Sequence, residues 1–305
     1  MINGTAITIG KFDGFHLGHQ VLLNDISEKA VEKNLEAICC KLRFSGCNIM
    51  STNEEDSFLK NRFPKIERIE YIDFTPEFAA MSPDEFVRDY LVKRLSVAYV
   101  VVGNDFRFGK DRAGDAETLK SLGKKYGFEV RICDKLLMDG SVVSSTRVRE
   151  NLAKGNVENA SRLLGYTYEL NGTVTSGKKL GRTFGFPTIN LGIEQDKLLP
   201  EYGVYASLIY MSNSKKTESE NKVSSQIDGI RVYKGITNIG IRPSIDDGDR
   251  PTVETFIYDF NEDIYGETVR VVPVHYIRPE QAFKNLDELV EQINKDIEVA
   301  KSIQQ

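Results

Sequence analysis

The chain has 305 residues, enough for two domains at roughly 100–200 residues each. With 40% hydrophobic and 28% charged residues it has the balance of a soluble globular protein, and each half is long enough to bury a core. A net charge of −5 lacks the strongly basic footprint of a nucleic-acid binder. No apolar run approaches the ~18 residues of a membrane span, and the opening MINGTAITIGKFDG is not a signal peptide, so the expected location is cytoplasmic.

The first half alternates strand-like and helix-like segments. Residues 6–9 (AITI) are apolar and β-branched and run into Gly10, and 18–33 carry Val21, Leu22, Ile26 and Ala30 at helical spacing. Residues 37–42 read as a second strand. Three of the four cysteines (Cys39, Cys40 and Cys47) fall within nine positions around it, without the paired CxxC spacing of a zinc site, and together with Cys133 they read as buried thiols in a reducing compartment. Ser82 and Glu85 form a capping-box pattern before a helix at 86–95, with Pro83 in its first turn. Residues 98–103 (AYVVVG) are the clearest buried strand; 119–126 are helical, 128–133 strand-like, and Ser144-Ser145-Thr146 caps a helix running to about Lys154. This alternation predicts a parallel, doubly wound sheet.

Beyond Gly165 the pattern changes. Strand-type runs at 168–175, 204–210, 253–260 and 268–276, separated by glycine-containing turns, predict an antiparallel barrel or sandwich. Residues 212–226 (SNSKKTESENKVSSQ) are polar and read as a mobile hairpin loop. An amphipathic helix at 285–301 follows, with Leu286, Leu289, Ile293 and Ile297 on one side. The boundary falls near Leu164–Tyr168, and there is no internal repeat.

Two segments carry phosphate chemistry. The first, GKFDGFHLGH (10–19), follows a buried strand and opens a helix, which in an α/β sheet is the carboxyl end where ligands bind. Gly10 and Gly14 let the backbone turn closely around a ligand. Gly18 and His19 sit at a helix N-terminus whose free N–H groups favour anions, and His16 and His19, three apart, face one phosphate together. The bland alternative is a strand-to-helix turn with two surface histidines, and an HxxH metal site lacks an evident third ligand. Ser144-Ser145-Thr146-Arg147-Val148-Arg149 supplies hydroxyls, a helix N-terminus and arginines suited to polyphosphate, or else is a capped helix with solvated arginines. Aromatics of VGNDFRFG (102–109) can stack on a flat ring or serve as core at a strand end. The second segment, GKKLGRTFGFPTIN (177–190), has glycines spaced to wrap phosphates with backbone N–H groups. It adds the charges of Lys178, Lys179 and Arg182, and the hard oxygens of Thr188 and Asn190 suit Mg²⁺. It is not a Walker A motif. Glu254, in PTVETF, is a candidate general base, or one solvated residue of an alternating strand.

The HxGH pattern after a first strand resembles the nucleotidyltransferase superfamily, in which two histidines stabilise charge on ATP as its α-phosphate is attacked. Together with GITNIGIRPS (235–244), VETFIYDFNEDIYG (253–266) and IRPEQAF (277–283), these motifs make nearly the whole chain resemble the bacterial bifunctional riboflavin kinase/FMN adenylyltransferase (FAD synthetase) family. The resemblance implies a Rossmann-like nucleotidyltransferase domain at 1–165, then an antiparallel β-barrel kinase domain at 166–305 with a terminal helix. In the barrel, riboflavin would be phosphorylated to FMN, with Glu254 as base, Thr188 and Asn190 holding Mg²⁺, and Gly177, Lys178, Gly181 and Arg182 on ATP. Arg278 and Phe283 would contact the flavin. In the first domain FMN would be adenylylated to FAD. His16, His19 and Arg149 would be catalytic there, ATP would lie against Gly10, Phe12, Asp13, Gly18, Ser144, Ser145 and Thr146, and the flavin against Asp105, Phe106 and Phe108. The partners so implied are small molecules, with no nucleic acid or membrane, on a monomer or weak oligomer.

One segment departs from the family pattern. Where a phenylalanine and a Pro-His-Pro type turn usually follow the second strand, this chain has Arg43-Phe44-Ser45-Gly46-Cys47-Asn48. The departure touches adenylylation rather than phosphorylation. The alternatives are a riboflavin kinase with a weak or altered adenylyltransferase domain, and a flavin-binding regulatory protein, which would not need Glu254.

Overall fold

A computed structural model describes residues 4–43, 46–176, 185–212, 225–227, 229–241 and 251–304, and the chain divides into two compact units, Met1–Ser145 and Thr146–Gln305. In the first unit five parallel strands lie in the order β3-β2-β1-β4-β7: β1 (Thr5–Gly10), β2 (Glu36–Arg43), β3 (Ile66–Asp73), β4 (Val97–Gly103) and β7 (Glu129–Cys133). Two short hairpins, β5 (Arg107–Phe108) with β6 (Gly114–Asp115) and β8 (Leu137–Met138) with β9 (Ser141–Val142), sit in the connections. The chain winds outward from β1 to β3, then returns to lay β4 against β1's other edge. The strand order therefore reverses between β1 and β4, and the crevice at their carboxyl ends is where such sheets bind ligands.

Strand alternation gives the sheet two apolar faces. Ile7, Ile9, Ile38, Val100 and Val102 pack in one cluster with Phe86, Leu91 and Leu119. Their neighbours Ala6, Ala37 and Tyr99 face the opposite side, where α1 (Leu17–Lys33) buries Leu23, Ile26 and Ala30. The Tyr99 hydroxyl donates to Asp25 of α1 at 2.6 Å, and Arg131 pairs with the same carboxylate at 2.6 Å, so these three polar groups satisfy one another.

The sequence reading needs four corrections here. The capping box at Ser82 and Glu85 forms, but after one α-turn, Pro83–Glu85, the segment winds as a π-helix over Phe86–Arg94. Helix α2 (Thr52–Arg62) and strand β3 went unread. Only Glu55 and Leu59 of α2 are buried, and β3 is an edge strand that exposes its charges, so neither shows an apolar period. Of the cysteines, Cys39, Cys40 and Cys133 are buried free thiols but Cys47 is exposed. Burial pushes Cys40 up to about 12, which keeps it an inert thiol.

The second unit opens with α6 (Ser145–Leu152) and α7 (Val157–Leu164), then closes six antiparallel strands into a barrel. The order is β12-β16-β10-β11-β15-β14, with β12 pairing back to β14. The strands are β10 (Leu170–Thr175), β11 (Thr188–Ile193), β12 (Gly203–Ser212), β14 (Ile230–Ile241), β15 (Pro251–Ile257) and β16 (Thr268–Arg278). Strands β11 and β14 were not expected. The first was read as ligand-bearing loop, and the second is interrupted by glycines, Arg231 and Lys234. The polar stretch at 212–226 is not wholly a loop either: Ser212 ends β12, and β13 (Ser225–Ile227) pairs with β14, while 213–224 lie outside the described residues. Helices α6 and α7 pack within this unit. Glu201 N–H donates to Leu152 O at 2.8 Å, and His275 of β16 lies 2.6 Å from Glu158 of α7. The division at Ser145 is therefore upstream of the sequence boundary.

The C-terminal helix, Leu286–Ile303, is capped by Asn285, whose Oδ1 accepts from Glu288 N–H at 2.9 Å. It buries Ile297 and Ala300 against Val204, Ala206 and Ile236, an apolar patch on the outside of the barrel. Leu286, expected on the packed side, stays half exposed.

Inside the first unit, β2 carries Lys41 into the interior, where its ammonium pairs with Glu55 of α2, both side chains being almost wholly buried. Removing one partner leaves an uncompensated buried charge. Lys41→Met is therefore expected to lower unfolding free energy by roughly 3 kcal/mol in urea denaturation, while Lys41→Met combined with Glu55→Leu loses distinctly less.

Candidate active sites

In the first unit the chain leaving β1 turns abruptly. Phe12 and Phe15 both adopt left-handed backbone (φ 45° and 41°), a conformation that strains a side-chain-bearing residue by roughly 1–2 kcal/mol each. Burial holds them: both rings are enclosed and stack at 5.9 Å. Asp13 fixes the turn from two sides. Its carboxylate accepts from Ile49 N–H at 2.8 Å, and its backbone oxygen accepts from Ser145 Oγ at 2.9 Å. Gly14 has φ +76°, and a Cβ there would lie 2.8 Å from Ile49. Thus 10–19, the segment after β2 and the second hydroxyl of the Ser-Ser-Thr-Arg motif meet at one residue.

His16 caps α1, its Nδ1 accepting from His19 N–H at 3.3 Å, and the two imidazoles stack at 3.6 Å. That acceptor role puts the neutral ring's proton on Nε2. A Cβ on Gly18 would stand 3.1 Å from His16 Cε1, so the glycine of HxGH is what lets the ring lie there. Burial lowers the pKa of His16 to about 4, with Asp13 opposing. Burial, then His16 and Lys41, hold His19 well below the ordinary value. Both lowered values favour the neutral ring at pH 7, in which each imidazole keeps one N–H.

These groups line a cavity of about 320 Å³ at the carboxyl ends of β1, β4 and β7, reached by Gly10, Gly103 and Cys133. Phe12, Gly18, Ser144, Ser145, Asp105 and Phe106 also border it. Asp105 pairs with Lys135 at 2.9 Å. Phe108 does not border it. Its ring lies in the core, stacked beneath Phe106 at 5.5 Å, and supports that ring from below. Thr146 and Arg149 follow Ser145 on α6, Thr146 exposed and Arg149 half-buried. Of the departing segment, Phe44 and Ser45 lie outside the described residues, Cys47 is exposed, and Ile49 is buried on Gly14.

In the barrel unit, pairing brings the expected groups together. Asn190 of β11 is directly opposite Glu254 of β15, Asn238 of β14 flanks Glu254 on its other side, and Thr188 lies two residues before Asn190 on the same face. Their neighbours Val253, Thr255 and Ile257 point into the barrel, where the Thr255 and Thr237 hydroxyls bond at 3.0 Å. The polar face therefore looks outward, beneath the C-terminal helix, into a cavity of about 450 Å³ walled by Phe186, Phe256 and Phe283. Thr188 and Asn190 offer hydroxyl and amide oxygens, hard donors that fit Mg²⁺, an ion that keeps waters and substrate phosphates as its remaining ligands, with the Glu254 carboxylate beside them.

Arg278 borders this cavity, but its guanidinium is held by the buried Asp296 carboxylate through contacts of 2.7–3.0 Å, and it lies 5.8 Å from the Phe283 ring. It ties β16 to the C-terminal helix. Sequence reasoning missed Asn238 and Glu280, which bond at 3.3 Å at the cavity's edge. Both stand inside quoted motifs (TNIG and RPEQ), but only the register shows that they meet. A second cavity, about 350 Å³, lies between Val174, Pro187–Ile189 and the loop Phe260–Tyr265, and Thr188 lines both. Gly177, Lys178, Gly181 and Arg182 lie outside the described residues.

The depressed histidine pKa values set a pH dependence. Between the folded value of about 4 for His16 and the ordinary 6.5, only the unfolded chain is protonated there. Stability is then expected to be full above pH 6.5 and to fall towards pH 4 by up to roughly 1.4 kcal/mol per pH unit for each such histidine. Denaturation at pH 7 and pH 5 measures the drop, and His16→Gln is expected to shrink it.

Comparison with known proteins bears on both units. Residues 1–147 match the family described as FAD synthetase, and residues 164–304 that described as Riboflavin kinase. The bifunctional riboflavin kinase/FMN adenylyltransferase of Haemophilus influenzae is 34% identical, over 99% of this chain and 95% of its own. The Escherichia coli K12 protein of the same name is 34% identical over 96% of this chain and 90% of its own. A crystal structure from Streptococcus pneumoniae, described as a macrolide-efflux protein, is 30% identical with a TM-score of 0.80, covering 98% of this chain and 94% of that one. Among the described residues no helix is long and apolar enough to cross a membrane.

Proposed function

The chain belongs to the bifunctional riboflavin kinase/FMN adenylyltransferase family, and from that premise we propose that it carries out two successive ATP-dependent steps of flavin cofactor synthesis. Riboflavin is phosphorylated to FMN, and FMN is adenylylated to FAD. We assign the first step to residues 166–305 and the second to 1–165. The observation that carries the reading is Thr188 lining two adjacent cavities, with Asn190 and Glu254 beside it in only one of them.

For phosphorylation, the flavin ring occupies the aromatic-walled cavity under the C-terminal helix, and ATP the neighbouring one. Glu254 takes the proton of the ribityl hydroxyl as its oxygen attacks the γ-phosphorus, and ADP leaves. Thr188 and Asn190 would hold Mg²⁺, which supplies charge neutralisation to the phosphates. Gly177, Lys178, Gly181 and Arg182 would close on ATP. Arg278 contributes by tying β16 to the C-terminal helix rather than by donating to the flavin.

For adenylylation, an FMN phosphate oxygen attacks the α-phosphorus of ATP and pyrophosphate leaves. The nucleophile is already an anion and needs no base. His16 and His19 would donate neutral N–H groups to the charge that develops, with Gly10, Phe12, Asp13, Gly18, Ser144, Ser145 and Thr146 around the nucleotide and Arg149 adding positive charge. Asp13 serves by holding the turn. Phe106, supported by Phe108, and Asp105 meet the flavin. The altered segment after β2 favours the reading of a kinase with weakened adenylylation. Against it stands the Ile49–Asp13 bond, which ties that segment to the site. A regulatory binder would need no base at Glu254. We further propose a cytoplasmic enzyme acting on small molecules, without nucleic acid or membrane, as a monomer or weak oligomer. The net charge of −5 supports the part of that reading that concerns nucleic acid.

The deciding assay incubates the purified chain with riboflavin, ATP and Mg²⁺ and separates the flavins. FAD is the expected product. FMN alone reduces the chain to a kinase, and no conversion overturns both activities. Glu254→Ala is expected to slow FMN formation by about 10²-fold or more while FMN supplied directly is still converted to FAD. Gly18→Ala, which crowds His16, is expected to do the reverse, lowering adenylylation by about tenfold or more and sparing phosphorylation.

A further inference from the structure

The loop between β15 and β16 forms one wall of the cavity assigned above to ATP, yet it has no ladder of its own over Phe260–Ile264. Its far end is fastened to β10: Gly266 N–H donates to Val174 O at 2.9 Å, Val174 N–H to Glu267 O at 2.9 Å, and Ile264 is buried. The near end is held differently. Arg231, nearly buried on β14, places Nη1 at 2.8 and 2.9 Å from the two Glu262 carboxylate oxygens. The same nitrogen donates to the Tyr233 hydroxyl at 3.0 Å, and the Tyr233 ring meets Phe260 edge-on at 5.1 Å. The backbone of Arg231 is anchored, because its strand is paired on both sides, with Met211 of β12 and Gln226 of β13.

We propose that Arg231 is a positioning residue for riboflavin phosphorylation: by clamping Glu262 it holds the Phe260–Tyr265 wall in the shape that receives ATP. The proposal rests on the assignment of that cavity to the nucleotide. The geometry separates the clamp from the rest of the barrel. Neither Arg231 nor Glu262 borders the aromatic-walled cavity, and neither is near Glu254 in the ladder. A charge-assisted pair shielded from solvent is a stiff link, and cutting one side leaves the other charge buried and repelled from its place. A wall so released costs binding of the substrate it touches before it costs the chemical step.

The test is steady-state phosphorylation by the full chain, with ATP varied at saturating riboflavin and riboflavin varied at saturating ATP. For Arg231→Met and Glu262→Gln the KM for ATP is expected to rise about tenfold, with kcat within about twofold of the unaltered chain and the KM for riboflavin unchanged. Arg231→Lys, which keeps the charge but not the fork, is expected to recover part of the loss. Should Arg231→Met prove insoluble, Glu262→Gln carries the test, since it keeps the side chain's shape. An unchanged KM for ATP, or equal rises for both substrates, overturns the clamp. An unaltered chain that makes no FMN overturns the functional reading beneath it.

Discussion

The antiparallel register that sets Asn190 opposite Glu254 decides which face of each barrel strand is apolar. Residues 253, 255 and 257 fill the barrel, so Glu254 and Phe256 must look outward, and a slip of one residue would drive a carboxylate into the core at a cost of several kcal/mol. The same alternation leaves Val204, Ala206 and Ile236 as an outer apolar patch, which the C-terminal helix covers. A polar group beside an apolar roof is the environment a flat amphiphilic ring with a hydroxylated tail requires. Fold and site in this unit are thus two results of one pairing.

In the first unit the corresponding constraint is the carboxylate of Asp13. The turn after β1 is strained at Phe12 and Phe15, and strain of that kind persists only where surroundings over-determine it. Asp13 does this by accepting from Ile49 while its carbonyl accepts from Ser145, and the buried rings fill the space behind. With the turn fixed, His16 caps α1 and stacks on His19, and burial favours the neutral form of both rings. After β2, the Ile49 backbone N–H is the group that ties this segment to the Asp13 carboxylate.

The strands that went furthest into apolar territory, β1 and β4, and the motifs at their ends were legible because sequence and structure share a period there. What the sequence concealed has physical reasons. Helix α2 and edge strand β3 bury too little to show a pattern, and β14 hides behind glycines and a buried arginine. Strand β11 was read for its oxygen ligands, which are there because it is a strand with alternate residues on one face. Residue type places Arg278 and Phe108 at a ligand; in the structure Arg278 also pairs with Asp296 and the Phe108 ring packs on Phe86, partners distant in sequence. Asn238 and Glu280 meet across 42 positions, which no local pattern encodes.

Thr188 borders both cavities of the barrel unit. On the proposed assignment of the two cavities, a residue in that position would meet both substrates, so it is a poor place from which to redesign either. The aromatic walls at Phe186 and Phe283 touch one cavity alone, and the Phe260–Tyr265 loop touches the other. If the cavities take flavin and nucleotide as proposed, altered flavins and altered nucleotides become separable engineering problems, solvable at different residues, with position 188 left as the fixed point between them.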